Sequence, residues 1–205
     1  MKLLSEQDLA SVTEAIRTAE LRTNGEIVAV VARHSNHYIW PAFVGIGLIA
    51  LILPGIVIPY LGIVAAGDLF FIQLTTLVVL GGLLLIPRLR VALIPDAMKR
   101  AAGAANAREQ FIERGLHLTQ GRTGILIFVS VAERYVEILA DEGINAKVEP
   151  ATWQDIIDSL IEDIHRDQVA EGFRKVVASV GDILADHVPA EGKNPNELPD
   201  RLFVI

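Results

Sequence analysis

The sequence predicts an α/β protein: an α/β/α sandwich with a small mixed sheet, interrupted by a two-helix transmembrane hairpin. Three observations carry that expectation. Between Ser35 and Ile86 the only formally charged side chain is Asp68. Three short runs rich in Val and Ile, at Glu26–Ala32, Ile125–Val131 and Arg134–Ala140, have strand length and composition. Amphipathic helical patterns lie before and after them, so strands and helices alternate along the chain as in a layered α/β domain.

Ser5–Arg22 opens the chain as a helix, with Ser5 as N-cap and Leu9, Val12, Ile16 and Ala19 on one face. Asn24-Gly25 is expected to stop it with a positive φ. Glu26–Ala32 is then the first strand. The hairpin follows: bilayer crossing takes about 20 apolar residues. Two such runs, Ile39–Ile58 and Leu69–Ile86, flank a turn at Pro59, Gly62, Gly67 and Asp68. Both are apolar on every face, which separates them from the one-sided helices of a soluble core. Pro54-Gly55 is a place for a kink, but neither span holds an ionisable group, so an anchor is expected rather than a transport pathway.

Beyond the hairpin, Asp96–Leu116 reads as a helix whose alanines predict a close neighbour. Ile125–Val131 is continuously apolar, as a strand buried on both faces should be. A tight turn at Ala132-Glu133 makes Arg134–Ala140 its antiparallel partner. The first and second strands are joined through a helix and are expected to be parallel. Pro150, and Thr152 with Asp155 three residues on, mark the start of a third helix that turns Trp153, Ile156, Ile157, Leu160, Ile161 and Ile164 inward. Asp155, Asp158, Glu162, Asp163 and Arg166 are left to water. A fourth helix runs through Val169, Phe173, Val176, Val177, Val180, Ile183 and Leu184, and the Pro-, Asn- and Glu-rich stretch from Pro189 to Asp200 is expected to be loosely ordered. The predicted organisation is therefore residues 1–34 as the first helix and strand, 35–90 as the hairpin, 91–188 as the rest of the α/β domain and 189–205 as the tail.

Composition narrows the function classes. No cysteine is present among the 205 residues, which excludes a disulfide framework, a thiolate zinc site and a cysteine nucleophile. The acidic N-terminal helix is not a signal-peptide pattern. Arg33 precedes the hairpin, Arg88, Arg90, Lys99 and Arg100 follow it, and the turn carries only Asp68, so both termini are expected in the cytoplasm of a bacterial inner membrane. Bases dominate from Arg88 to Arg134; acids, including Asp141, Glu142, Asp155, Asp158, Glu162, Asp163 and Asp167, dominate afterwards. That order places the basic segment near an anionic leaflet, although solvated helix faces would account for each charge singly. Net charge is −7, and nucleic-acid binding is not expected.

The strand sequences bear a resemblance to a known family. Asn24-Gly25-Glu26-Ile27, Thr123-Gly124-Ile125-Leu126-Ile127-Phe128-Val129-Ser130, Arg134-Tyr135-Val136-Glu137-Ile138-Leu139-Ala140-Asp141, and Trp153 with Ile156-Ile157 resemble the TPM domain. That family is named for thylakoid-lumen proteins of photosystem II repair and a nematode membrane protein. The resemblance runs from Ser5 to about Val188 outside the hairpin. It implies an α/β/α sandwich, calcium or magnesium binding in some members, and an acid phosphatase activity in a plant member; most bacterial members are extracytoplasmic. This chain departs from the family pattern at Gly121-Arg122-Thr123-Gly124 and Ala140-Asp141-Glu142-Gly143. An arginine stands where an amide or carboxylate would help to hold calcium.

Candidate site residues follow from the topology. The starts of strands one and two and the end of strand three share one edge, bringing Glu26, Arg122, Asp141 and Glu142 together. Asp141, Glu142 and Glu26 are the candidate metal ligands, too few alone for a calcium shell of six to eight oxygens. The alternative is an ion pair of Arg122 with Asp141 or Glu142. Trp40, Arg88 and Arg90 are the candidate membrane-interface residues. His34 and His37 would need a helix to converge on a metal, His165 sits among charges on a solvated face, Gly121–Gly124 precedes a strand rather than a phosphate-binding helix, and Ser130 lacks a nucleophile elbow. The expected function is a membrane-anchored TPM-like interaction or accessory module, partnered by the bilayer and by a membrane or cytosolic protein. It would serve in maintenance of membrane protein complexes. The alternative is a divalent-metal-dependent phosphatase acting at the membrane surface.

Overall fold

Helix α1 (Glu6–Glu20) begins where the sequence can satisfy its free N–H groups: the Ser5 hydroxyl accepts from Asp8 N–H while the Asp8 carboxylate accepts from Ser5 N–H, a reciprocal capping box. The computed structural model describes residues 4–62, 65–166, 168–190 and 196–205. Asp167, residues 63–64 of the hairpin turn and residues 191–195 of the tail lie outside the described residues.

Two compact units form, Met1–Ser35 with Arg100–Ile205, and Asn36–Lys99. The first is a mixed α/β structure around a four-stranded sheet of order β3-β2-β1-β4, with β1 at Glu26–Ala32, β2 at Gly124–Ser130, β3 at Tyr135–Ala140 and β4 at Leu202–Val204. Strand β1 runs parallel to β2 with Glu26 opposite Gly124, and β3 runs antiparallel to β2 with Ala140 opposite Ile125. Every residue of β1 and β2 is buried, because helices cover both faces. Ile27, Ala29, Val31, Ile125, Ile127 and Val129 face a core shared with α1, α7 (Pro150–His165) and α8 (Val169–His187). Val28, Val30, Leu126 and Phe128 face Ala107 and Phe111 of α5 (Asp96–Glu113), together with Leu116, Leu198 and Phe203.

Several expectations need correction. Neither Asn24 nor Gly25 has a positive φ, and α1 ends at Leu21 in right-handed geometry. Gly25 is needed for space instead, since a Cβ there would lie 2.7 Å from Leu184 Cδ2. Helix α7 starts at Pro150 with Glu149 as its N-cap and no side-chain cap bond, so Thr152 and Asp155 form no capping box. Asp163 is not left to water: it is 2% exposed and its carboxylate accepts from Lys175 Nζ of α8 at 3.0 Å.

The end of the chain adds a strand that the sequence expectation lacked. Ala190 N–H donates to Arg22 O, residues 196–205 return to the sheet, and Leu202–Val204 pairs parallel with Ala29–Val31 as an edge strand. The strand's apolar side chains suit that position, and Arg114 stacks over the Phe203 ring at 3.6 Å from its centroid.

The second unit contains α2 (Ile39–Leu61), α3 (Ala66–Leu83) and α4 (Pro87–Ala92), with α2 packed against α3. Helix α2 passes unbroken through Pro54 and ends on Gly62 at φ 64°. Among the described residues one stretch, Ile39–Ile58, is long and apolar enough to cross a membrane, and most of it is exposed; Gly67–Leu83 is a shorter apolar helix. The second helix starts and ends three residues earlier than the span expected from sequence, Leu69–Ile86. Pro87 explains its end, because the residue before a proline is pushed to extended geometry and Ile86 has ψ 108°.

Candidate functional site

One edge of the sheet gathers the amino ends of β1 and β2 and the carboxyl end of β3. Its shape comes from two turns. Gly121 (φ 86°) and Arg122 (φ 57°) occupy consecutive left-handed positions before β2. Arg122 N–H donates to Thr119 O at 3.0 Å, and Arg122 O accepts from Gly143 N–H at 3.0 Å. The second turn starts α6 (Glu142–Asn145), whose N-cap is Asp141. A Cβ at position 143 would collide with the carbonyl oxygens of Gly121 and Arg122, so the two turns can close only over glycine.

This geometry brings Arg122 and Asp141 together. Arg122 Nε donates to Asp141 Oδ2 at 2.6 Å and Nη2 to Oδ1 at 2.8 Å, the two-pronged match of guanidinium and carboxylate. Asp141 Oδ1 also accepts from Glu142 N–H at 2.8 Å. Asp141 is buried while the Arg122 side chain is 52% exposed, so the pair has a buried acceptor and an open donor. Burial alone pushes the Asp141 carboxyl up; the hydrogen bonds from Arg122 and Glu142 and the Arg122 charge outweigh it and hold the carboxyl below its ordinary value.

Glu26 starts β1 on the same edge but is engaged elsewhere. It is 1% exposed, and its carboxylate accepts from Glu197 N–H at 3.2 Å and Leu198 N–H at 3.0 Å, pinning the returning tail. Burial, partly offset by those two hydrogen bonds, raises its pKa. Beside it lies a buried carboxyl that no sequence motif marks. Glu20, at the end of α1, accepts from Ile27 N–H at 2.8 Å and has its pKa pushed up to about 9, chiefly by burial, with the charges of Glu26 and Asp200 adding to the rise. Arg17 Nε is 3.8 Å from Asp200 Oδ2. Glu20 sits four residues after buried Ile16, so the helical period itself places it inward. Among the described residues, no three or more His, Asp or Glu side chains are grouped so as to hold a metal ion.

The opposite edge carries a second polar cluster that sequence spacing does not announce. Glu133 Oε1 accepts from Ser35 N–H at 3.0 Å and Oε2 from the Ser130 hydroxyl at 2.5 Å. Ser130 Oγ in turn accepts from Ser35 Oγ, and Asn106 Nδ2 donates to Ser35 Oγ. This network ties the exit of β1 to the β2–β3 turn. His34 and His37 lie in a non-helical segment, without the helical spacing that would bring them onto one metal.

In the second unit, Trp40 is 81% exposed at the start of α2. Arg88 is exposed on α4, and Arg90 Nη1 donates to Leu84 O at 3.4 Å.

Comparison with known proteins agrees with this layout. The TPM domain model matches residues 87–183, which contain α5, β2, β3, α7 and most of α8. The match covers just under half of the chain. The matched stretch is completed in space by α1, β1 and β4, which lie outside it yet supply two of the four strands. The fold is similar to the NMR structure of BA42 protein from the psychrophilic bacterium Bizionia argentinensis, with a TM-score of 0.62 and 17% identity over 98% of this chain and 95% of that one. No curated protein matches the chain.

Proposed function

We propose that the protein is a membrane-anchored accessory module, in which α2 and α3 enter the bilayer as a hairpin and tether a cytosolic TPM domain. The observation that carries this reading is the surface of α2. Trp40, Val44, Leu51, Ile52 and Ile56 are all more than half exposed on a helix without a charged residue. Burying such side chains in an apolar environment gains about 1.5–3 kcal/mol each, and water offers no equivalent. Helix α3 continues the pattern with Phe70, Phe71 and Val78. Its one charge, Asp68, lies in the first turn, where the helix dipole favours an acid. The cations after the hairpin, Arg88, Arg90, Lys99 and Arg100, favour an inner-membrane orientation with both termini cytoplasmic.

The domain would meet a membrane or cytosolic protein through the Arg122, Asp141 and Glu142 edge and work in maintenance of membrane complexes. An accessory role fits this edge better than metal-dependent phosphatase chemistry, because both Asp141 oxygens already accept hydrogen bonds.

The test is fractionation of the full chain with alkaline carbonate extraction, followed by phosphate-ester hydrolysis on the detergent-purified protein. The reading expects retention in the membrane pellet and no hydrolysis above background. Release into the carbonate supernatant would overturn the anchor. Metal-dependent hydrolysis abolished by Asp141→Ala or Glu142→Ala would overturn the accessory role.

A further inference from the structure

We propose that the Arg122 guanidinium is a resident substitute for a divalent cation at the Asp141 carboxylate, closing the 121–124 and 141–143 turns without metal. The donor set is the first argument. Calcium requires six to eight oxygens, several from carboxylates. Asp141 Oδ2 accepts from Arg122 Nε, and Oδ1 accepts from both Arg122 Nη2 and Glu142 N–H. A cation approaching between the two oxygens would meet the guanidinium fork, a positive group already seated there. Glu26 offers nothing in exchange, since its carboxylate holds Glu197 and Leu198 N–H. Glu142 alone remains, and one carboxylate does not make a divalent site.

The backbone is also built to deliver this arginine. A non-glycine residue at φ 57°, following Gly121 at φ 86°, is an uncommon conformation. It is held by Arg122 N–H to Thr119 O and by Gly143 N–H to Arg122 O. The consequence is that Nε and Nη2 reach Asp141 side-on, which a lysine could not reproduce. A divalent ion draws turns together by collecting their oxygens; here one side chain from the first turn reaches the N-cap of the second, and its charge is permanent rather than dependent on metal supply.

The experiment is thermal unfolding of the purified full chain, followed by circular dichroism, with calcium or magnesium chloride at 0 and 5 mM and sodium chloride matching the ionic strength. A site with a Kd of about 0.1 mM would raise the midpoint by roughly 8 °C under these conditions. The wild-type midpoint is expected to move by less than about 1 °C, within the scatter that such a linkage would exceed. Arg122→Asn, a residue that tolerates the left-handed turn, should unfold at lower temperature and recover part of the loss in calcium, because it frees the Asp141 oxygens. If that variant does not fold, Arg122→Lys should keep the charge and remain insensitive to metal. A wild-type midpoint that rises by several degrees in either metal, with the rise abolished by Asp141→Asn, would overturn the proposal.

Discussion

Replacing Glu20 with glutamine should stabilise the protein at neutral pH and leave it unchanged in acid. Glu20 is 5% exposed at the end of α1, and its pKa rises from 4.5 to about 9, mainly because burial disfavours the carboxylate. Around it lie Ile27 N–H, Glu26 and Asp200, with Arg17 reaching Asp200 from the preceding turn. A carboxyl whose folded pKa lies above its unfolded one binds its proton more tightly when folded. Its contribution to stability is therefore largest below pH 4.5 and declines as pH rises from 4.5 towards 9, where the unfolded chain releases the proton and the folded chain keeps it. Each pH unit in that window is worth about 1.4 kcal/mol, so holding Glu20 protonated at pH 7 costs about 3 kcal/mol. Glutamine has the same shape, keeps a carbonyl for Ile27 N–H and an NH₂ to face Asp200, and has no proton to lose. Guanidinium unfolding of wild type and Glu20→Gln at pH 4.5 and pH 7 measures the difference directly. The midpoints should nearly coincide at pH 4.5, with the variant ahead by about 3 kcal/mol at pH 7. A difference that does not change with pH, or a variant less stable at pH 7, would mean that Glu20 is not held protonated in the folded chain.

Three further outcomes follow from the packing. Lys175→Met leaves the 2%-exposed Asp163 carboxylate without its ammonium and should destabilise by about 2–3 kcal/mol, with Asp163→Asn in the same chain recovering part; denaturant midpoints of the single and double variants check it. Gly25→Ala places a Cβ against Leu184 Cδ2 and should cost about 1–3 kcal/mol, less when Leu184→Ala is also present; a double-mutant cycle by thermal unfolding measures the coupling. Glu26→Ala removes the acceptor for Glu197 and Leu198 N–H and should speed amide hydrogen exchange in residues 196–205, while α8 exchange stays unchanged.

The parts of this fold that the sequence displays are those built from local periodicity. Val12, Ile16 and Ala19 mark α1, and the unbroken apolar runs of β1 and β2 mark the central strands. Strand β4 is invisible to the same reading because three residues carry no period, and its pairing with Ala29–Val31 joins distant parts of the chain. Charge also misleads where it lies on a buried stripe. Asp163 follows buried Leu160 by three positions, so helical geometry turns it inward, and only Lys175, on the next helix, makes that burial tolerable. At the strand edge, Arg122 and Asp141 can be placed together from topology. The diversion of Glu26 to the tail depends on a docking that no local pattern encodes.

The proposed topology, with α2 and α3 crossing the bilayer and the α/β unit on the cytosolic side, is directly measurable because the sequence contains no cysteine. Single cysteines at Asp68, in the first turn of α3, and at Glu109, exposed on α5, can be labelled with a membrane-impermeant maleimide in right-side-out vesicles. With that topology Asp68→Cys is labelled in intact vesicles and Glu109→Cys only after they are opened. Labelling of both positions in intact vesicles, or of Glu109→Cys alone, would contradict it.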